Sequence, residues 1–317
     1  ALPKGGESVA RLRGAAALLF PVFFGAALLF FPDVSAAAAR EGVTLCLQTV
    51  LPSLFPFFVL SSLLVQSDVP RLLSRAMAGV MYPLFGVSGA GASALILGLL
   101  GGYPVGARTV AELYGRGEIA RKEAEQLLAF CNNSGPGFFL GVCGTAVFGS
   151  ARAGAHLYLI HVGAALVTGV LLRRDLGLPR RKAVSRQRAP FDLAAALPAA
   201  VQGSFAAVGS VSAFVIFFMV LLRLLSLVPA LAALPPLPRA ALFGFVEMTN
   251  GVNALSATRT GFVLCAAIMN WGGLSVQAQT RAMLAGSALS ARRCVIGKAV
   301  QALAGVPLAL LAAQRLF

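Results

Sequence analysis

The sequence CNNSGPG, residues 131–137, interrupts an apolar segment that runs from about residue 124 to residue 148. Two asparagines and a serine precede a Gly-Pro-Gly that disfavours a continuous helix. The whole chain is 58% hydrophobic and only 12% charged, whereas an ordinary soluble domain has about 25% charged residues. Several apolar stretches approach the roughly 20 residues that a helix needs to cross a bilayer. These features predict an all-α polytopic membrane protein whose helices are broken by polar turns.

Three further interruptions of the same kind occur along the chain. Non-helical backbone at membrane depth persists only where protein buries it or a water-filled cavity solvates it. Any one break, taken alone, could equally be a proline kink or a packing notch. Two breaks in each half, in matching order, instead indicate a midplane site for an ion or a small solute, as in many secondary transporters. The other three are GGYPVGAR at 101–108, EMTNGVN at 247–253 and NWGGLSVQAQ at 270–279.

The distribution of basic residues predicts how the chain crosses the membrane. The net charge is +15, and the longest basic joint, residues 173–190, is cytoplasmic by the positive-inside rule. The same rule puts Arg292, Arg293 and Lys298 on the cytoplasmic side. We therefore predict two inverted-topology repeats with about seven transmembrane helices plus two re-entrant hairpins. The chain begins with an N-terminal cytoplasmic segment and the first transmembrane helix (1–35), and a basic linker (173–190) separates the two repeats. Repeat 1 (36–172) contains a hairpin at about 88–114 and a broken helix at about 124–148. Repeat 2 (191–317) contains a hairpin at about 240–258 and a broken helix at about 261–287.

Polar side chains on the interruptions form the predicted substrate site. Amides and hydroxyls there can donate and accept hydrogen bonds without adding charge. Glu247 is the acidic residue predicted deepest in the membrane, and an ionisable group there is a functional candidate. The alternative is a structural carboxylate paired with Arg108 or with helix-end amides. The substrate-binding candidates are Tyr103, Arg108, Asn132, Asn133, Ser134, Glu247, Thr249, Asn250, Asn270, Ser275 and Gln277.

Other titratable residues carry weaker signals. Arg108 either meets a carboxylate with its bidentate fork or extends to the inner membrane face. His156 and His161 lie on one span, 153–172, and we expect a packing or interfacial role on a peripheral helix. The five cysteines show no metal-ligand spacing and are expected to be packing residues. No protease, ATPase or hydrolase motif is present, so we predict no enzyme activity, no metal site and no cofactor, and leave open a coupling proton or Na⁺.

Several motifs together resemble one family. LPSLFPFF at 51–58, GGYPVGAR at 101–108, CNNSGPGF at 131–138 and GFVEMTNGV at 244–252 are similar to the YlbJ-type sporulation integral membrane proteins, part of the nucleoside-recognition or Gate-domain group. MNWGGLSVQ at 269–277 also fits the pattern. The resemblance covers about residues 14–315. It implies a carrier that, in spore-forming bacteria, moves dipicolinate (pyridine-2,6-dicarboxylate) out of the mother cell across the outer forespore membrane.

The resemblance also implies partners and a location. We expect a multi-pass protein of the bacterial inner membrane, or of the outer forespore membrane if it acts in sporulation. Its partners are a small-molecule substrate and the lipid bilayer, with no nucleic acid, and a homo-oligomer is left open. A nucleoside or nucleobase carrier and a non-transporting scaffold of the spore envelope remain as alternatives. A planar dianion would favour Arg108 and amide donors, whereas Glu247 would oppose it unless protonated or offset by a cation.

Overall fold

A computed structural model describes residues 18–175 and 191–317, and in these ranges the chain is α-helical with no β-strand. Residues 1–17 and most of the predicted basic linker lie outside the described residues. Within the described residues, four helices are long and apolar enough to cross a membrane, or up to six if each of two bent helix pairs counts as one span. The all-α polytopic prediction is confirmed. The count of seven crossings and the inverted repeats stay predictions.

The described part of the first half contains eight α-helices, and the chain changes direction sharply at two places. Helix α1 (Leu18–Phe30) meets the helix over Pro32–Gln48 at a bend of 101°, and α4 (Val69–Phe85) meets the helical stretch Gly89–Gly101 at another bend of 101°. Pro32 lies in the first turn of its helix, where a missing N–H removes no hydrogen bond. These helices are α1 (Leu18–Phe30), α2 (Pro32–Leu45), α3 (Leu51–Gln66), α4 (Val69–Phe85), α5 (Ala92–Gly101), α6 (Val105–Gly115), α7 (Arg121–Leu127) and α8 (Ala151–Leu171), with π-helical turns at Cys46–Val50 and Phe138–Val147 and a 3-10 turn at Gly89–Gly91.

The second half begins with the longest described helix. Helix α9 has 33 residues, so at 1.5 Å per residue it extends about 50 Å, more than the roughly 30 Å of the hydrocarbon layer. The next five helices are short, and the last helix is long again. The described helices of this half are α9 (Leu193–Leu225), α10 (Pro229–Ala232), α11 (Pro236–Val246), α12 (Met248–Asn253), α13 (Arg259–Trp271), α14 (Gly273–Met283) and α15 (Arg292–Leu316).

Glycines bring the two arms of each predicted hairpin close together. In the first half, a Cβ built on Gly98 of α5 would lie 3.0 Å from the Cα of Gly106 of α6. In the second half, a Cβ on Gly251 of α12 would lie 2.2 Å from the Cα of Gly244 of α11. Small residues let helix backbones approach this closely. Both pairs of arms are therefore packed back to back, and the turn between them forms the tip.

Helix α15 lies against α8 and α13 and also touches α7. Its closest approach is at Gly297, where a Cβ would lie 1.9 Å from the carbonyl oxygen of Ala129. This close packing places the next residue along α15, Lys298, beside the interrupted segment 128–137.

Gly297→Ala is expected to destabilise the folded protein, because the added methyl group would clash with a backbone carbonyl that cannot rotate away. Overpacking of a well-packed interior costs about 1 to 3 kcal/mol. Thermal unfolding of the purified protein in detergent measures the effect. Gly209→Ala on α9 is the matched control, since nothing lies within 4 Å of its Cβ. Equal unfolding temperatures for the two variants would contradict the close packing of α15.

Candidate functional site

The interruptions of the two halves meet at the turn Gly272-Gly273, between α13 and α14. Both glycines have positive φ, +80° and +84°, a conformation that glycine adopts without steric cost. A Cβ on Gly272 would lie 3.0 Å from the hydroxyl oxygen of Tyr103 in the first half. A Cβ on Gly273 would lie 3.1 Å from the amide nitrogen of Met248, at the tip of the second hairpin. The turn therefore contacts both hairpin tips.

The fourth interruption joins the same cluster through the tip of the first hairpin. Gly102 has φ +81°, and a Cβ there would lie 3.0 Å from the amide nitrogen of Gly135. The structure thus brings all four polar interruptions together, although they are spread over about 180 residues of sequence. Long-range packing of glycine turns produces this arrangement.

Lys298 on α15 is fully buried beside this cluster. Its Nζ donates hydrogen bonds to Asn133 Oδ1 at 3.1 Å and to Gln301 Oε1 at 2.7 Å. It also lies 5.0 Å from the centre of the Tyr103 ring, within the range of a cation–π interaction. We call Lys298, Asn133, Gln301 and Tyr103 the Lys298 centre. Among the residues that the structure describes, no carboxylate forms an ion pair with Lys298.

The side chain of Lys298 is enclosed by protein, so Lys298 is not an exposed topology marker, and the cytoplasmic location of this end of α15 stays a prediction. The positive-inside rule treats a lysine near a helix start as a topology marker and ignores which face of the helix it occupies. A signal was nevertheless present in the sequence. Cys294, Lys298, Gln301 and Gly305 follow one another at spacings of three and four, which places them on a single helix face, and all four are buried. Gln301 was missed for the same reason.

His161 on α8 connects the two halves, so the expectation of a peripheral position is wrong, whereas the expected packing role stays a prediction. The residue is fully buried. Its Nε2 accepts a hydrogen bond from the backbone amide of Ser134 at 3.1 Å, and its Nδ1 lies 2.9 Å from Asn270 Oδ1. Because Nε2 is the acceptor, a neutral ring carries its proton on Nδ1 and donates it to Asn270. His156, by contrast, contacts the carbonyl oxygen of Arg152 one turn earlier on its own helix.

The predicted amides mainly hold the cluster together. Asn132 donates from Nδ2 to Thr280 Oγ1 on α14 at 2.9 Å, and its Oδ1 accepts from the amide of Ala107 at 3.3 Å. Asn270 donates from Nδ2 to the carbonyl of Ala266 at 2.8 Å. Asn132 and Asn270 therefore link first-half and second-half elements. Thr280 was not a candidate, since it lies on regular helix with no local sign of its long-range partner.

Glu247 caps the short helix α12. Its Oε1 accepts from the Thr249 amide at 3.1 Å, and its Oε2 accepts from the amide and from Nδ2 of Asn250, both at 2.8 Å. Backbone N–H groups at a helix start stabilise a carboxylate in this position. Of the two structural alternatives for Glu247, the geometry matches pairing with helix-end amides and not with Arg108. Glu247, Thr249 and Asn250 thus shape the second hairpin tip.

Arg108 has its own partners outside the Lys298 centre. Its Nε donates to Glu112 Oε1 at 2.9 Å, and its Nη1 donates to Ser204 Oγ at 3.3 Å. The guanidinium also lies 5.5 Å from the centre of the Phe58 ring. The side chain does not extend freely to a membrane face, and its guanidinium already has hydrogen-bond partners. Its ion pair with Glu112 weakens the case for Arg108 as the group that binds a carboxylate.

Three predicted residues have buried polar atoms without a hydrogen-bond partner in the described part of the protein. They are the Tyr103 hydroxyl, the Ser275 hydroxyl and Gln277 Oε1. An unsatisfied buried polar group costs about 1 to 3 kcal/mol. Tyr103 contacts the Gly272-Gly273 turn, and Ser275 and Gln277 follow it in the first turns of α14. These atoms are therefore the ones that remain available to bind a solute.

A cavity of about 570 Å³ opens next to this turn, within the size range of about 300 to 1,000 Å³ that is usual for ligand pockets. It lies between α9, α14 and α15. We call it the Trp271 cavity, and the residues that define it are Phe214, Phe218, Trp271, Gln277, Arg281 and Val295.

The described residues show no arrangement that suits cysteine chemistry or metal binding. All five cysteines are buried and free. The described residues contain no cluster of three or more histidine, cysteine or acidic side chains that could hold a metal ion. The polar groups described in this region are therefore amides, hydroxyls, the Lys298 ammonium, the His161 imidazole and the Glu247 carboxylate.

Comparison with known proteins identifies the family. A family model described as "Nucleoside recognition" matches residues 47–156. The chain is 30% identical over 302 residues to the sporulation integral membrane protein YlbJ of Bacillus subtilis (strain 168), a match that covers 84% of this chain and 74% of that protein. No solved structure matches. The resemblance inferred from the motifs is confirmed, as is a multi-pass location in the membrane. The chain belongs to the family of YlbJ-type sporulation integral membrane proteins.

Proposed function

We propose that the protein is a membrane carrier for a small organic anion, with dipicolinate as the leading substrate and export towards the developing spore as its direction. The buried Lys298 carries the argument. Both of its hydrogen-bond acceptors, on Asn133 and Gln301, are neutral. A charge buried without a counter-ion is costly, and an ionisable group inside a membrane protein marks a functional site by default. A carboxylate on the solute would supply the missing counter-ion.

The groups around Lys298 suit a planar anion better than a cation. The unpartnered hydroxyl of Tyr103, whose ring lies beside the Lys298 ammonium, can donate to a carboxylate oxygen, and a hydrogen bond to a charged group contributes about 1.5 to 3 kcal/mol. Ser275 offers a second unpartnered hydroxyl two residues after the Gly272-Gly273 turn. The carboxylate among the predicted site residues, Glu247, already accepts three hydrogen bonds from Thr249 and Asn250. The site is therefore positively charged and rich in donors.

Alternating access follows from the proposed repeat architecture. Each half contributes a hairpin tip and a broken helix. The polar bonds that join the halves near these tips include those from His161 to Asn270, from Asn132 to Thr280 and from Lys298 to Asn133. In this proposal, seven crossings in two inverted repeats rock against each other around the Lys298 centre, and those bonds break and reform during each cycle.

Uptake into vesicles that contain the purified protein tests the function. We expect saturable uptake of labelled dipicolinate that excess unlabelled dipicolinate suppresses, and none of labelled uridine. Uptake of uridine alone would favour the nucleoside carrier, which the description of the matching family model supports. Uptake of neither solute by folded protein would favour the scaffold. Imposing a Na⁺ or pH gradient identifies a coupling ion.

A further inference from the structure

We propose that the Trp271 cavity is the cytoplasmic vestibule through which a planar aromatic carboxylate reaches the Lys298 centre. In this assignment Arg281 binds the carboxylate and Trp271 provides a flat surface for the ring. The inference rests on the proposed function and assigns two residues that the sequence did not single out for binding.

The cavity adjoins the Lys298 centre through a short chain of contacts. Gln277 lines the cavity, and its Nε2 donates to the carbonyl oxygen of Trp271 at 3.4 Å. Trp271 is followed by Gly272, which contacts the Tyr103 hydroxyl, and the Tyr103 ring lies beside the Lys298 ammonium. Gln277, whose buried Oε1 has no hydrogen-bond partner among the described residues, thus belongs both to the cavity wall and to the chain of contacts that leads to the centre.

Arg281 gives the cavity its charge. It is the only charged residue among those described as lining the cavity, and it forms no ion pair within the described residues. Its guanidinium is therefore free to bind a carboxylate with two parallel hydrogen bonds. Arg108 differs in this respect because Glu112 already occupies its fork.

The walls of the cavity favour an aromatic solute. Phe214 and Phe218 of α9 line one side, and Trp271 lines another. The indole is held rigidly, since its Nε1 donates to the carbonyl of Phe245 at 2.9 Å and its ring stacks on that of Phe245 at a centroid distance of 5.1 Å. Flat rings stack favourably on such surfaces. Because the cavity combines one cationic side chain with aromatic walls, we expect it to bind an aromatic carboxylate more tightly than a neutral nucleoside.

The position of Arg281 along α14 places the opening on the cytoplasmic side. From Gly272 to Arg281 the helix advances about 13 Å at 1.5 Å per residue. Beyond it the chain continues to Arg292 and Arg293, which the positive-inside rule puts in the cytoplasm. The vestibule thus begins on the side from which an exported anion must be taken up.

Fluorescence offers a direct test because Trp271 is the sole tryptophan of the chain. Indole emission of the purified full-length protein is followed during titration with dipicolinate. Excitation is at the long-wavelength edge of the indole absorption band, where the pyridine ring does not absorb. We expect saturable quenching, and none with uridine. Arg281→Gln should raise the half-quenching concentration roughly tenfold, about 1.4 kcal/mol, and Arg281→Lys should raise it less. Arg292→Gln, which makes the same charge change outside the cavity, should match the unmodified protein.

The outcomes separate this inference from the proposed function. Equal quenching of Arg281→Gln and the unmodified protein would overturn the role of Arg281. Absence of quenching in protein that still transports dipicolinate would place the vestibule elsewhere and leave the carrier intact. Saturable quenching without transport would support the site and refute the carrier. Displacement of bound dipicolinate by anionic phospholipid, with quenching by that lipid at lower concentration, would assign the cavity to a lipid headgroup instead.

Discussion

Lys298→Met is expected to abolish transport of dipicolinate while the protein still folds and inserts. Methionine has a similar length but removes the positive charge that the solute would neutralise. Removing one partner of a buried, hydrogen-bonded charge pair costs about 2 to 5 kcal/mol, so we expect uptake to fall by at least roughly thirtyfold. Removing the buried charge relieves its desolvation cost, which offsets the cost of about 1 to 3 kcal/mol of leaving Gln301 Oε1 without its donor. The thermal stability of the empty protein should therefore not decrease.

Initial rates of labelled dipicolinate uptake and thermal unfolding in detergent measure the two effects separately. Lys122→Met is the matched control, because Lys122 is exposed on α7 and the chemical change is identical. The control should transport at the unmodified rate. Normal transport by Lys298→Met would refute the proposed charge complementarity. Loss of transport together with a lower unfolding temperature would show instead that the ammonium serves folding.

Tyr103→Phe is expected to reduce dipicolinate uptake by roughly tenfold or more without destabilising the protein. The substitution removes only a hydroxyl that has no hydrogen-bond partner among the described residues, so no protein–protein bond is lost. If the hydroxyl donates to a solute carboxylate, the loss of about 1.5 to 3 kcal/mol exceeds the 1.4 kcal/mol that corresponds to a tenfold change. The ring, and with it the contact with Lys298, remains.

Tyr158→Phe provides the contrasting control for this prediction. The Tyr158 hydroxyl donates to the carbonyl of Leu99 at 3.1 Å, and a typical intramolecular hydrogen bond contributes about 0.5 to 1.5 kcal/mol to stability. That variant should unfold at a lower temperature and still transport. Unchanged uptake by Tyr103→Phe would mean that its hydroxyl does not contact the solute.

The interruptions of the helices could be predicted because their cause is local. Glycine, proline and asparagine disfavour continuous helix wherever they cluster. Helix α5 accordingly ends at Gly101, α11 ends at Val246 and α13 ends at Trp271. The polar side chains on these breaks were good candidates for the same reason, since a break in a buried segment exposes backbone that needs polar surroundings.

Residues on unbroken helices could not be assigned in the same way. His161, Thr280 and Gln301 lie on regular helix, where nothing in the neighbouring sequence shows what each side chain will meet. Their partners are far away in the chain: His161 contacts Asn270, and Gln301 contacts Asn133. Arg108 shows the opposite case. It is a candidate for carboxylate binding in the sequence, but in the structure its guanidinium already donates to Glu112 one turn later and to Ser204 of α9.

A helical membrane protein of the YlbJ type with polar breaks in both halves could be recognised from the amino-acid sequence alone, because hydropathy, helix disruption and motif similarity all act over short stretches of chain. Tertiary packing was needed to show that these breaks meet at Gly272-Gly273, that Lys298 turns inward to Asn133, and that Arg281 has no ion pair within the described residues beside an aromatic cavity. Those outcomes depend on which helix faces pack together. Glycine contacts between distant segments decide this, and no local pattern encodes it.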